Sequence, residues 1–309
     1  MDGVVFAGLL VAAAPPLLFA VLGETLCERA GVVNLGLDGM LVLSAMSGFA
    51  AACSTGIWAV GFLAGALTGV LVALVLACAT LTLRQSQFAV GFVLTLLCRD
   101  LAYVLGRGFE HRTGPQVESS WMACASLLAV AGVWCLLYRS QAGLRLRGLG
   151  ENPRACHARG LKVIRLRYLW IALGGALVGL GGATVTLCIK GWSRPDPIAG
   201  KGWIALAIVI FGGWHPVRVA LGVYLFVALE YAAVRWQDAL PSGIPSQLLT
   251  CLPFPMMILA LLLVTLAGAE GTQRGLARLP LGLRTALQAV LGLFKATPPA
   301  ALGQEFRPE

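Results

Sequence analysis

The sequence predicts an all-α polytopic integral membrane protein, with about eight spanning helices, one short broken or re-entrant helix, and one short helix on a cytoplasmic loop. Hydrophobic residues make up 58% of the 309 and charged residues only 12%, at a mean hydropathy of +0.83. An ordinary soluble domain does not have this composition. Apolar runs of roughly 20 residues, enough to cross about 30 Å of hydrocarbon, recur along the chain. The bases behind the net charge of +9 lie between those runs, where they orient the chain and meet anionic lipid headgroups. They form no single soluble face of the kind nucleic acid would need.

The first run, residues 4–26, follows no basic region and no small-residue cleavage site, so it is expected to remain as a membrane segment. The runs 35–52, 58–83, 88–105, 121–138, 168–189, 217–234 and 245–266 follow by the same length rule. Residues 203–211 are too short to span at about 1.5 Å per residue. They are flanked by Gly200, Gly202, Gly212, Gly213 and Pro216, all helix interrupters. A break at membrane depth needs protein or a water-filled cavity around it, so this segment either borders a path or packs as two short helices.

Residues 1–267 therefore read as the membrane domain and 268–309 as a basic cytoplasmic tail carrying Arg274, Arg278, Arg284 and Lys295. Within the tail, Leu281, Leu283, Leu287, Val290, Leu291 and Phe294 have a spacing compatible with a helix lying on the membrane.

Residues 139–167 hold eight Lys or Arg against a single acid, Glu151. The positive-inside rule places this loop in the cytoplasm. Counting spans outward from it puts the N-terminus outside, the C-terminus inside, and the loops 106–120, 190–201 and 235–244 outside. Within the basic loop, Gly150, Glu151, Asn152, Pro153, Arg154, Ala155, Arg159, Gly160 and Leu161 frame a short helix. Asn152 is a good N-cap, Pro153 fits the first helical position, and Gly160 can end the helix in the left-handed conformation. Such a helix on a membrane protein is expected to touch a soluble partner.

Glu28 and Arg29 can pair at the membrane boundary as a gate or anchor, while Asn34 and Asp38 open the second span and either face a path or cap the helix. Arg99 and Asp100 lie where an unpaired charge costs on the order of 3 kcal/mol or more, so they need partners or a place near the external mouth; Glu230 and Arg235 read similarly. Phe49, Trp58, Trp192, Trp203 and Trp214 fall mostly at span ends, as interfacial belts do. Phe49 and Trp203 would suit a flat ligand if they face inward.

The nine cysteines lack CxxC or Cys/His ligand spacing and read as small buried hydrophobes, with no metal or other cofactor expected. His111, His157 and His215 are scattered over different loops, and no catalytic constellation is found. The G-x-x-x-x-G-K-[ST] phosphate loop is absent, so any energy source lies on another chain. Most spans are free of charge, which disfavours an ion-coupled secondary carrier.

Three stretches carry a resemblance. They are Glu28-Arg29-Ala30-Gly31-Val32-Val33-Asn34-Leu35-Gly36-Leu37-Asp38-Gly39-Met40, the helix at 150–160 with the apolar run 168–183, and residues 200–230. In this order they resemble the membrane permease subunits of binding-protein-dependent ABC importers of the ribose and nucleoside branch, over residues 13–266. The first stretch is most similar to the nucleoside-type subgroup, which includes riboflavin importers; Asp38 stands where that subgroup more often has glutamate.

The resemblance implies an inner-membrane permease forming half of a pore for a nucleoside or nucleoside-like heterocycle such as riboflavin, with simple sugars as the alternative. It further implies two copies of a cytoplasmic ATPase seated on the 150–160 helix. Glu151, Arg154 and Arg159 would make polar contacts there, with Ala155 and Leu161 packing. A second related permease, in a heterodimer rather than a homodimer, and an extracytoplasmic substrate-binding protein or lipoprotein complete the implied assembly.

Overall fold

The computed structural model describes residues 3–110, 112–193, 198, 200–239, 255, 298–304 and 306. Every regular element among them is helical: α1 (Gly3–Ala13), α2 (Pro15–Arg29), α3 (Leu37–Thr55), α4 (Trp58–Ala77), α5 (Gln87–Gly106), α6 (Ser119–Arg139), α7 (Gln141–Glu151), α8 (Pro153–Ala158), α9 (Val163–Thr184), α10 (Lys201–Phe211) and α11 (Pro216–Ala239). With short π- or 3₁₀-helical extensions, five stretches are long and apolar enough to cross a membrane: Leu37–Thr55, Trp58–Thr82, Gln87–Phe109, Ser119–Arg139 and Val163–Ile189. The expected span 245–266, the tail with its interfacial helix, His111 and the side chain of Arg235 lie outside the described residues.

The expected first span is divided. Pro15 and Pro16 lack the N–H groups that would continue the ladder, so α1 gives way to α2 at Ala14. Two further spans end in π-helical turns, Cys78–Thr82 after α4 and Val185–Ile189 after α9. In the basic loop the structure places two helices where one was expected, because α7 precedes α8. Ser140 caps α7 by accepting from the Gly143 N–H at 3.0 Å, and Leu146 and Leu149 bury its inner face.

The core is organised by α9, which packs against α2, α3 and α4. Between helices in lipid there is little hydrophobic drive, so small residues that let backbones approach supply the packing. A Cβ on Gly174 would meet the Gly23 carbonyl of α2 at 2.6 Å, one on Gly175 the Gly69 carbonyl of α4 at 2.6 Å, and one on Gly182 the Ala45 N of α3 at 3.0 Å. The apolar cores of α3 and α9 are 72% and 67% buried, against 28% for α5 and α6. The outer faces present Leu63, Leu67, Leu71, Phe92, Leu97 and Leu128 in the open, a surface suited to lipid rather than water.

The α4–α9 seam gives a direct test. A Cβ on Gly65 would lie 2.7 Å from the Ala183 Cβ and 3.0 Å from the Gly179 carbonyl. Gly65→Val is expected to cost about 3 kcal/mol by overpacking, read as a lowered thermal unfolding midpoint in detergent, whereas Gly132→Ala, inside α6 and in open space, is expected to keep or raise the midpoint.

Candidate functional site

The polar residues of the spans gather at two levels. At the first, Asp38 in the opening turn of α3 is 1% exposed. Its Oδ2 accepts from Arg99 Nη2 at 2.8 Å, and its Oδ1 accepts the backbone N–H groups of Gly200 at 2.8 Å and Gly202 at 3.0 Å. Arg99 lies about 18 Å along α5 from its Gln87 end, so this cluster is well inside the span rather than at that end. Asp38 thereby closes the N-terminus of the broken helix α10, whose first N–H groups have no partner within the helix. Gly200 allows this with φ +86°. Gly202 allows it by lacking a Cβ, which would sit 2.7 Å from that of Asp38.

The second level lies about 16 Å away along α10, at Trp214. The Trp214 carbonyl accepts from Arg29 Nε and Nη2, both at 3.2 Å, and its indole N–H donates to the Glu28 carboxylate. Glu28 and Arg29 therefore do not pair with each other, as the sequence suggested; both grip the turn after α10. Trp214 itself takes φ +55°, rare for a bulky side chain. One turn back on α2, Glu24 Oε1 accepts the Asn34 N–H at 2.9 Å, and Gln87 accepts from the Val33 N–H at 3.0 Å. This folds the segment between α2 and α3 back into the bundle. The Asn34 side-chain amide is buried with no hydrogen-bond partner. His215, beside Trp214, is held below the usual histidine range by burial, then by Arg218 and Arg29.

The four residues expected along a path are thus not gathered around one space. Asp38 has its carboxylate bonded three times, Asn34 is sealed against Glu24, and Phe49 is 2% exposed beneath Gly114 and Gly191. Only Trp203, 39% exposed, faces outward. Arg99 has the partner its depth requires. Glu230 also has one, Lys201 at 3.2 Å.

At the α7–α8 end, Asn152 Oδ1 accepts the Ala155 N–H at 3.0 Å, Pro153 opens α8, and Gly160 ends its turn at φ +82°. Glu151, Asn152, Arg154, Ala155, Arg159 and Gly160 are exposed; Pro153 and Leu161 are half-buried and Gly150 is buried. A Cβ on Gly150 would collide with the Arg29 carbonyl, so the loop is seated directly on the end of α2. Sequence reasoning missed Glu24, which was hidden in an apolar run. It also read Trp214 as an interface residue, and it passed over Arg167 as one more base of a basic loop.

The family model described as branched-chain amino acid transport system, permease component, matches residues 6–267. Among named relatives, the chain is 30% identical over 279 residues to the nucleoside ABC transporter permease NupC of Lactococcus lactis, covering 80% of this chain and 88% of that one. It is 30% identical over 282 residues to the guanosine ABC transporter permease NupQ of Bacillus subtilis, with the same coverages of 80% and 88%. It is 38% identical over 258 residues to TsgC13 of Haloferax volcanii, provisionally named a glucose ABC transporter permease, covering 75% and 78%. A solved inward-facing ABC transporter, provisionally of metal-chelate type, shares the fold with TM-score 0.52 at 19% identity, over 82% of this chain and 83% of that one.

Removing Arg99 strands the buried Asp38 charge, and removing Asp38 leaves the N–H groups of Gly200 and Gly202 unmet. Asp38→Ala and Arg99→Ala are each expected to lower the unfolding midpoint strongly, and the double variant by less than their sum. Strictly additive effects in that double-mutant cycle would show that the pair is not coupled.

Proposed function

This chain belongs to the branched-chain amino acid transport system permease component family, and from that premise we propose that it forms half of the pore of an ATP-driven importer of nucleosides. Membership makes it a multi-pass membrane transport subunit, with hydrolysis on an ATPase chain and delivery by a substrate-binding protein. The observation that carries the cargo is the 30% identity to two named nucleoside permeases over 80% of the chain. Simple sugars are the second reading, because the provisional glucose permease is 38% identical. The named relatives lend nothing to riboflavin.

In this reading residues 1–267 are the membrane domain, 268–309 are a cytoplasmic tail, and the α7–α8 end faces the cytoplasm. The eight bases of residues 139–167 support that orientation. The chain segment at 298–304 lies against the same end, with the Ala301 N–H donating to the Gly150 carbonyl at 2.8 Å. The capped helix α8 is short and solvent-facing, as a helix must be to seat in a groove of an ATPase. Ala155 and Arg159 present its exposed surface.

Because Gly150 is pressed onto the end of α2 and both Glu28 and Arg29 hold Trp214, a push on α8 reaches α2 and α10 as rigid bodies. A related second permease completes the pore, a heterodimer being favoured. The N-terminus would lie outside.

Reconstitution with the ATPase and binding protein, followed by uptake of labelled uridine, guanosine and glucose, tests the cargo. Nucleoside uptake competed by guanosine and not by glucose is expected; the reverse order selects the sugar reading, and ATP-independent uptake by this chain alone would discard both. Ala155→Glu with Arg159→Glu is expected to weaken ATPase docking by on the order of 2 kcal/mol, roughly thirtyfold, with the unfolding midpoint unchanged.

A further inference from the structure

Arg167, in the first turns of α9, is the largest fully buried side chain described, at 0% exposure. Its Nε, Nη1 and Nη2 are all buried and none has a hydrogen-bond partner. A guanidinium offers five N–H donors in a rigid fork and stays charged. Leaving all of them unmade at a buried position is among the costliest arrangements a side chain can adopt. Gly31, at φ +91°, lies against it, where a Cβ would come 2.8 Å from Nη2.

Arg167 lines a cavity of about 120 Å³ together with Arg84, Ser86, Gln87, Gln304 and Phe306; no acidic side chain is among its described lining residues. The N-terminus of α5 opens onto the same cavity. Ser86 is its N-cap, and the N–H groups of Gln87 and Phe88 precede the helical ladder, with the positive end of a 20-residue helix behind them. Two cations, a helix N-terminus and the Ser86 hydroxyl thus converge from separate parts of the chain.

We propose that this cavity is a binding site for a phosphate-type oxyanion, held by Arg167 in a forked contact and by Arg84 and the start of α5. The site size fits a single phosphate group. Phe88 and Leu83, 63% and 62% exposed beside it, form an apolar flank that acyl chains would cover. The shared chemistry is therefore that of a lipid headgroup phosphate or of free phosphate.

Occupancy would have a structural consequence. Gln304 and Phe306 belong to the segment that also donates from Ala300 N to Glu151 Oε2 at 3.4 Å and sets Phe306 edge-on to His157 of α8 at 5.7 Å. An anion on Arg167 would tie this segment, and through it the α7–α8 loop, to the start of α9.

The test uses the full chain purified in detergent. Its unfolding midpoint is measured in inorganic phosphate against chloride at equal ionic strength, and lipid retention is read by native mass spectrometry from bilayer discs of phosphatidylcholine with and without phosphatidylglycerol. A saturable rise of the midpoint in phosphate identifies the free anion, and retained phosphatidylglycerol identifies the lipid. Either response is expected to weaken roughly tenfold in Arg84→Gln, an exposed position, and to vanish in Arg167→Gln.

No response to either probe, or a response unchanged in Arg84→Gln, would overturn the proposal. Glu305 lies outside the described residues and serves as a control. A response that appears only in Glu305→Gln would mean that the chain's own carboxylate holds the arginines, and would equally overturn it.

Discussion

A helix that starts inside a membrane leaves backbone N–H groups with no water to bond, and the chain solves this at one carboxylate. Asp38 takes the N–H groups of Gly200 and Gly202 on one oxygen and the Arg99 guanidinium on the other. In hydrocarbon each unmet N–H would cost several kcal/mol, so the broken helix α10 can exist only where such an acceptor waits. Arg99 in turn orients the carboxylate, and α3, α5 and α10 are joined at a single point. The position of Trp214 follows, because α10 has a fixed length from its cap to the turn that Glu28 and Arg29 hold.

Around this point the bundle combines close backbone approach at the glycines of α9 with a core of buried Leu, Met and Phe side chains, Leu18, Met40, Leu41 and Phe49 among them. The glycines of α9 face α2, α3 and α4 in rotation, which brings three helices close around α9. In the proposed coupling role, displacement at α8 would be useful only if α7, α2 and α10 carried it without deforming.

The α7–α8 end is where the chain is most polar and most engaged with its own distant segments. Gly150 accepts from Ala301 and Gly31 accepts from Gly303 at 3.1 Å, so residues 298–304 join the α2–α3 turn to the basic loop. The guanidinium of Arg167 beneath that junction is buried with no hydrogen-bond partner.

The sequence by itself determined what composition, run length and local capping dictate. Apolar runs of the right length became α3, α4, α5, α6 and α9, the Gly-flanked 203–211 became the short α10, and Asn152, Pro153 and Gly160 cap α8 as their chemistry requires. These are local properties, read within a few residues of where they act. Only the tertiary structure decided who meets whom. Asp38 and Gly200 are 162 residues apart in sequence, Glu28 and Trp214 are 186 apart, and no periodicity in either segment encodes the pairing. The same holds for Arg167: among eight bases of one loop its charge looked like the others, and only the packing of Gly31 and the chain end over it turned a solvated base into a buried one. A side chain's partner is set by where helices cross, and that depends on all the close contacts of the bundle at once.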